Sequence, residues 1–170
     1  LSIYDNTNKF SRFNSNNFEF LEMSVSYFHN PNNIGFGKAN NYNFYRNNTN
    51  SDDIFIISNP DTYFEPESLI KFIDFFQNQY KIVCANPLIR NKNGEIQFSS
   101  KKNPTFLSLL IGFFPFLLFF RPFLKYDSYH KNKRKDYTLD TFQCQFLSGS
   151  FLVVKAGIFK KVKGFTEDFF

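Results

Sequence analysis

The run "DIFIISNPDTYFEPESLIKFIDFFQNQYKIVCA", residues 53–85, constrains this chain more than any other stretch. Ile54, Phe55, Ile56 and Ile57 form an apolar block of strand composition, and Pro60 must end it, because proline cannot donate to a ladder. Asn59, ahead of the proline, is pushed into extended backbone, so Asn59 and Asp61 are displayed at the strand's end with little freedom. Pro66 suits a first helical position, and Leu69, Phe72, Ile73 and Phe76 follow at i, i+3, i+4 and i+7, predicting a helix over 66–79. "KIVCA" (81–85) reads as the next strand. Strands are likewise expected over 1–5 and 20–28, around a polar 6–17 read as loop or frayed helix. A helix entered through glycines is expected over 35–46, although its asparagines are poor helix formers. A hairpin over 88–98 turns at Asn93-Gly94. Residues 145–165 read as a strand running through Ser148-Gly149-Ser150, then a short helix ending at Gly164. Strands alternating with helices on short links predict an α/β sheet covered on both faces. In such sheets ligands bind beyond the carboxyl ends of the strands, where Asp5, Asn59 and Asp61 lie.

With 170 residues the chain is long enough for a single domain. Its 27 Phe and its runs of Asn read as compositional bias rather than as functional tracts. The net charge of +5 suits an anionic partner, but much of the excess sits in "HKNKRKD" at 130–136. Cys84 and Cys144 form no CxxC and read as reduced thiols of a cytosolic compartment. The stretch from Phe106 to Phe120 is nearly all apolar around Pro115, yet short of the roughly 20 residues that cross a bilayer. It reads either as a buried pair of short helices or, with the basic run after it, as a membrane-interfacial segment over 106–135.

Several chemistries fail on spacing. "GFGKAN" is not a phosphate loop, since Asn32 and Ala39 stand where glycine and a hydroxyl residue are needed, and Asn40 breaks GxGxxG. His29 and His130 have no metal-ligand spacing, and "LSGS" is no nucleophile elbow. Most phenylalanines fall at core-like spacing, which argues against nucleic-acid binding.

The motifs "SIYDN", "NIGFGKANN", "IISNPD", "NPLIRNKNGEIQFSS…PTFLSLL" and "FLSGSFLVVKAGIFKKVKGFTEDFF", in that order, resemble the family 2 glycosyltransferases. The likeness covers nearly the whole chain and leans to the rhamnosyltransferase-like branch, where Asn-Pro-Asp replaces Asp-x-Asp. It implies a GT-A fold, a Rossmann-like mixed sheet flanked by helices. It also implies transfer, with inversion, of a sugar from a dTDP- or UDP-linked donor to a saccharide or polyprenyl-linked acceptor. The implied setting is cell-surface polysaccharide assembly at the cytoplasmic face of a membrane.

By the same resemblance, Asp5 contacts the base or ribose, and Asn33, Gly35, Gly37 and Asn41 match a nucleotide-binding stretch. Asp61 matches the carboxylate that holds Mg²⁺ or Mn²⁺ on the diphosphate, a hard ion for which one carboxylate plus phosphate oxygens suffices. Asn59 departs from the usual Asp and adds no charge. Ser148, Gly149 and Ser150 match the strand lining the acceptor side, and Thr166 replaces an Asp in "GFTE". The family's catalytic base is an Asp in a Glu-Asp pair expected beyond Phe170, so Glu167 and Asp168 align ahead of it. A first strand and helix are expected before Leu1, making this an incomplete domain. The other reading is a non-catalytic membrane-surface or glycan-binding protein on the same scaffold.

Overall fold

A computed structural model describes residues 1–7, 23–97, 100, 101, 106, 114 and 141–168. The chain divides into two compact units, Leu1–Phe55 with Val154–Phe170, and Ile56–Val153.

In the first unit, β1 (Ser2–Asp5) pairs in parallel with β2 (Ser26–His29), Ser2 opposite Ser26 and Asp5 opposite His29. Strand β2 starts later than the expected 20–28; residues 20–22 lie outside the described set, as does most of the 6–17 loop. Helix α1 (Phe36–Arg46) forms where the glycines predicted an entry. Gly35 precedes it at φ 84 and ψ 167, a backbone region essentially reserved for glycine. The asparagines of α1 do not oppose the helix: Asn40 and, just past its end, Asn47 donate through Nδ2 to the carbonyls of Phe36 and Asn43, four residues back. What holds α1 is packing, since Phe44 is 1% exposed. Its ring lies 5.0 Å from Phe55 and 4.6 Å from Phe159, edge-on to each. Among the described residues, Phe44, Phe55 and Phe159 thus form a core of interlocked rings.

Strand β3 (Ile54–Ser58), helix α2 (Pro66–Gln77) and strand β4 (Cys84–Ala85) follow in the predicted order. Pro66 opens α2, and the predicted stripe faces inward, ending on the fully buried Phe76. A hairpin joins β5 (Ile89–Arg90) to β6 (Ile96–Gln97), antiparallel, with Gly94 at φ 79 in its turn. Strand β7 (Ser100–Lys101) pairs antiparallel with β8 (Phe146–Leu147). Strand β9 (Phe151–Lys155) is central in a sheet ordered β3-β9-β4, and Phe151, Val153 and Val154 are buried as a central strand requires.

One expectation is corrected here. Residues 145–155 are not one strand, because Ser148–Ser150 is a turn between β8 and β9. The apolar pattern continues across it, but the Ser148 hydroxyl accepts the Ser150 N–H at 3.4 Å and lies 3.1 Å from the Ser150 hydroxyl, a local bond that competes with the ladder.

Helix α3 (Ala156–Lys161) also ends before the predicted Gly164. Lys163 donates to Lys160 O at 3.1 Å and Gly164 to Phe159 O at 2.9 Å, with φ of 63 and 74, a Schellman closure. A Cβ on Gly164 would run into the Asn41 side-chain amide. Gly164→Ala is therefore expected to cost about 1–3 kcal/mol, read as a lower urea midpoint at unchanged slope.

Cys84 and Cys144 are free thiols lining one cavity of about 620 Å³ in the second unit, with Phe72, Phe75, Leu88 and Leu147. Burial pushes the Cys84 thiol up to about 11. No helix among the described residues is long and apolar enough to cross a membrane. The 106–135 segment lies outside them except for Phe106 and Phe114.

Candidate functional site

The predicted residues fall into separate groups, and each unit carries its own. In the first unit Asp5 closes β1. Its Oδ2 accepts the Tyr27 hydroxyl at 2.6 Å and its Oδ1 the Thr7 N–H at 3.1 Å. Partial burial alone would raise this carboxyl. The donors Tyr27 and Thr7, with His29 charge nearby, outweigh that and hold it below the ordinary 3.8. A depressed carboxyl adds stability above its ordinary value and loses it as pH falls through the folded one. Tyr27→Phe is expected to raise the Asp5 pKa, to lower stability above the ordinary carboxyl value and to make the loss in acid smaller, measured by carboxyl NMR titration and by denaturation at successive pH values.

Next to Asp5, Asn6 organises the entry to α1. Its Nδ2 donates to Asn33 Oδ1 at 2.7 Å, and its Oδ1 accepts the Ile34 N–H at 2.9 Å. Asn33 Oδ1 in turn accepts the Gly35 N–H at 2.9 Å. The structure thus brings Asp5, Asn33 and Gly35 to one place through Asn6, which the sequence reading passed over.

Gly37 and Asn41 have a different task. A Cβ on Gly37 would press on Phe165 Cβ and Thr166 O, each 3.2 Å away. Asn41, 3% exposed, donates through Nδ2 to Phe165 O at 2.9 Å and Glu167 Oε1 at 2.8 Å, and its Oδ1 accepts the Phe165 N–H at 2.8 Å. That amide, expected to hold the nucleotide, is engaged within the protein and fastens 165–167 to α1. Glu167 is the partner in that bond.

In the second unit the chain turns at Asn59-Pro60-Asp61-Thr62. Thr62 N–H bonds Asn59 O at 3.1 Å, so Pro60 and Asp61 are the two corner residues of a β-turn, with proline where its fixed φ is favoured. The turn is fastened from behind. Ser150 O accepts the Asn59 N–H at 2.9 Å and the Thr62 hydroxyl at 3.3 Å. Asn86, on the link after β4, donates to Ser148 O at 2.8 Å, while its Oδ1 is buried with no partner. Asn59, Ser148, Gly149 and Ser150 are thus assembled around Asp61's turn. Thr62 and Asn86 gave no sequence signal, because their partners are backbone carbonyls far along the chain.

Asp61 itself is exposed, and neither its carboxylate nor the Asn59 amide has a hydrogen-bond partner among the described residues. The described residues hold no group of three His, Cys, Asp or Glu that could cage a metal. A lone free oxygen donor fits Mg²⁺ or Mn²⁺ shared with phosphate oxygens and does not fit an ion held by protein alone.

Against known proteins, a family model described as Glycosyl transferase family 2 matches residues 5–162. No curated protein and no solved structure matches the chain.

Proposed function

Because the chain belongs to glycosyl transferase family 2, and is therefore a glycosyltransferase of GT-A fold, we propose that it transfers a sugar with inversion from a nucleoside-diphosphate donor, Asp61 carrying the metal-bound diphosphate. The observation that supports this is the free Asp61 carboxylate on a turn fixed from behind by the Ser150 carbonyl. Asp61 would hold a divalent ion, which would supply positive charge against that of the leaving diphosphate. The Asn59 amide would serve as an uncharged hydrogen-bonding partner to the donor. In the first unit Asp5, ionised and oriented by Tyr27, takes the nucleoside, and Asn33 and Gly35 shape the loop beside it. Asn41 and Gly37 act indirectly, by fixing 165–167 against α1. Ser148–Ser150 forms the acceptor wall.

Donor and acceptor follow the resemblance: a dTDP- or UDP-linked sugar, rhamnose by preference, and a saccharide or polyprenyl-linked acceptor at the cytoplasmic face of a membrane. Glu167 accepts a hydrogen bond from the Asn41 amide, which ties it to α1.

The test is calorimetric titration of dTDP and UDP with and without Mn²⁺, followed by a transfer assay on the intact protein. Binding that needs the ion, with turnover, supports the reading. Metal-independent binding would overturn the role of Asp61, and ion-dependent binding without turnover would favour the non-catalytic alternative.

A further inference from the structure

Resting on the assignment of Asp61 above, we propose that Thr62 is a positioning residue for Asp61, acting through the carbonyl of Ser150. Asp61 has no internal hydrogen bond to aim it, so its direction is set by the backbone of its turn. That backbone is anchored at its first and last residues, Asn59 and Thr62, on one oxygen, Ser150 O, at 2.9 and 3.3 Å. The carbonyl takes two donors because it has two lone pairs. The Asn59 bond is main chain and survives any side-chain change. The Thr62 hydroxyl is the one anchor that substitution can remove.

Ser150 O is itself held in place. The Ser148 hydroxyl closes the turn before it, and Asn86 pins Ser148 O from the end of β4. The path is Asn86 to Ser148, to Ser150, to Thr62, to the turn that presents Asp61. Each link is a hydrogen bond within the second unit. Outer residues that orient a metal-bearing carboxylate typically change metal affinity by 10–100-fold when lost. With the hydroxyl gone, Thr62 keeps only its main-chain bond to Asn59 O within the turn and loses its tie to Ser150, so the turn that aims the carboxylate is held less closely.

Thr62→Val keeps the side-chain shape and removes the hydroxyl, and Thr62→Ser restores it. The readout is the Mn²⁺ concentration giving half-maximal binding of UDP or dTDP to the intact protein, with circular dichroism and melting as folding controls. The expected result is a roughly 10-fold rise for Thr62→Val and near-normal behaviour for Thr62→Ser. Nucleotide affinity at saturating Mn²⁺ is expected to change far less. A general structural defect would weaken both and would not be rescued by serine. Asp61→Ala runs in parallel. If Asp61→Ala abolishes Mn²⁺-dependent binding while Thr62→Val leaves it unchanged, the positioning role is wrong and the functional reading stands. If Asp61→Ala changes nothing, both fall together.

Discussion

Asp61→Asn is expected to weaken Mn²⁺-dependent nucleotide binding by about 100-fold or more, beyond the 10–100-fold that loss of an outer residue costs. Asparagine preserves the volume and one oxygen but removes the charge. No group of three metal-binding side chains exists among the described residues to take over. The same substitution should leave stability within about 0.5 kcal/mol of the parent, because Asp61 is exposed and bonded to nothing inside. This separation of binding from folding makes the test decisive: calorimetry should move and the melting curve should not. Retained Mn²⁺ dependence in the variant would remove Asp61 from the metal. Asn59→Ala, by contrast, removes no charge and is expected to have a several-fold effect at most.

The largest expected loss of stability comes from Phe44→Ala, at about 3–5 kcal/mol. Phe44 is 1% exposed and its ring meets Phe55, Phe159 and Tyr45 at centroid distances of 4.6–5.2 Å. Truncation leaves a hole among stiff rings that cannot close without tilting all of them. A helix as rich in asparagine as α1 has little propensity to fall back on once that contact is gone. The fall in Tm should be on the order of 10 °C. Tyr63→Ala, at a residue 82% exposed, serves as control and should cost under about 0.5 kcal/mol. Similar losses in the two variants would mean that the ring cluster is not what holds the first unit together.

The features legible in the sequence are those fixed by local stereochemistry. Pro60 dictates a turn and the display of Asp61 whatever surrounds it, and the turn is found there. The stripe on α2 announces its buried face because helix period and apolar spacing agree. The entry to α1 through Gly35 was readable for the same reason, since φ 84 leaves little choice of residue. What failed to show depends on partners distant in sequence. Asn41 looked like a ligand residue because an asparagine after a glycine pair matches the family motif, and nothing nearby reveals that Phe165 and Glu167 occupy its amide. The Ser148–Ser150 turn was hidden by an apolar pattern that reads straight through it. Thr62 gives no signal in the sequence, because its partner is a main-chain oxygen with no side-chain signature.

The first unit is assembled from both ends of the sequence, Phe44 resting on Phe159 and Asn41 clasping Phe165. On the ribosome, at 5–20 residues per second, the early portion must therefore wait on the order of 10 s for the late one. Throughout that interval the rings of Phe44 and Phe55 have no Phe159 to cover them and are open to chaperones or to other nascent chains. The whole of the intervening unit, Ile56–Val153, is translated before Val154 is reached. The unit that carries Asp5 thus gains its last partners only after the other has been translated.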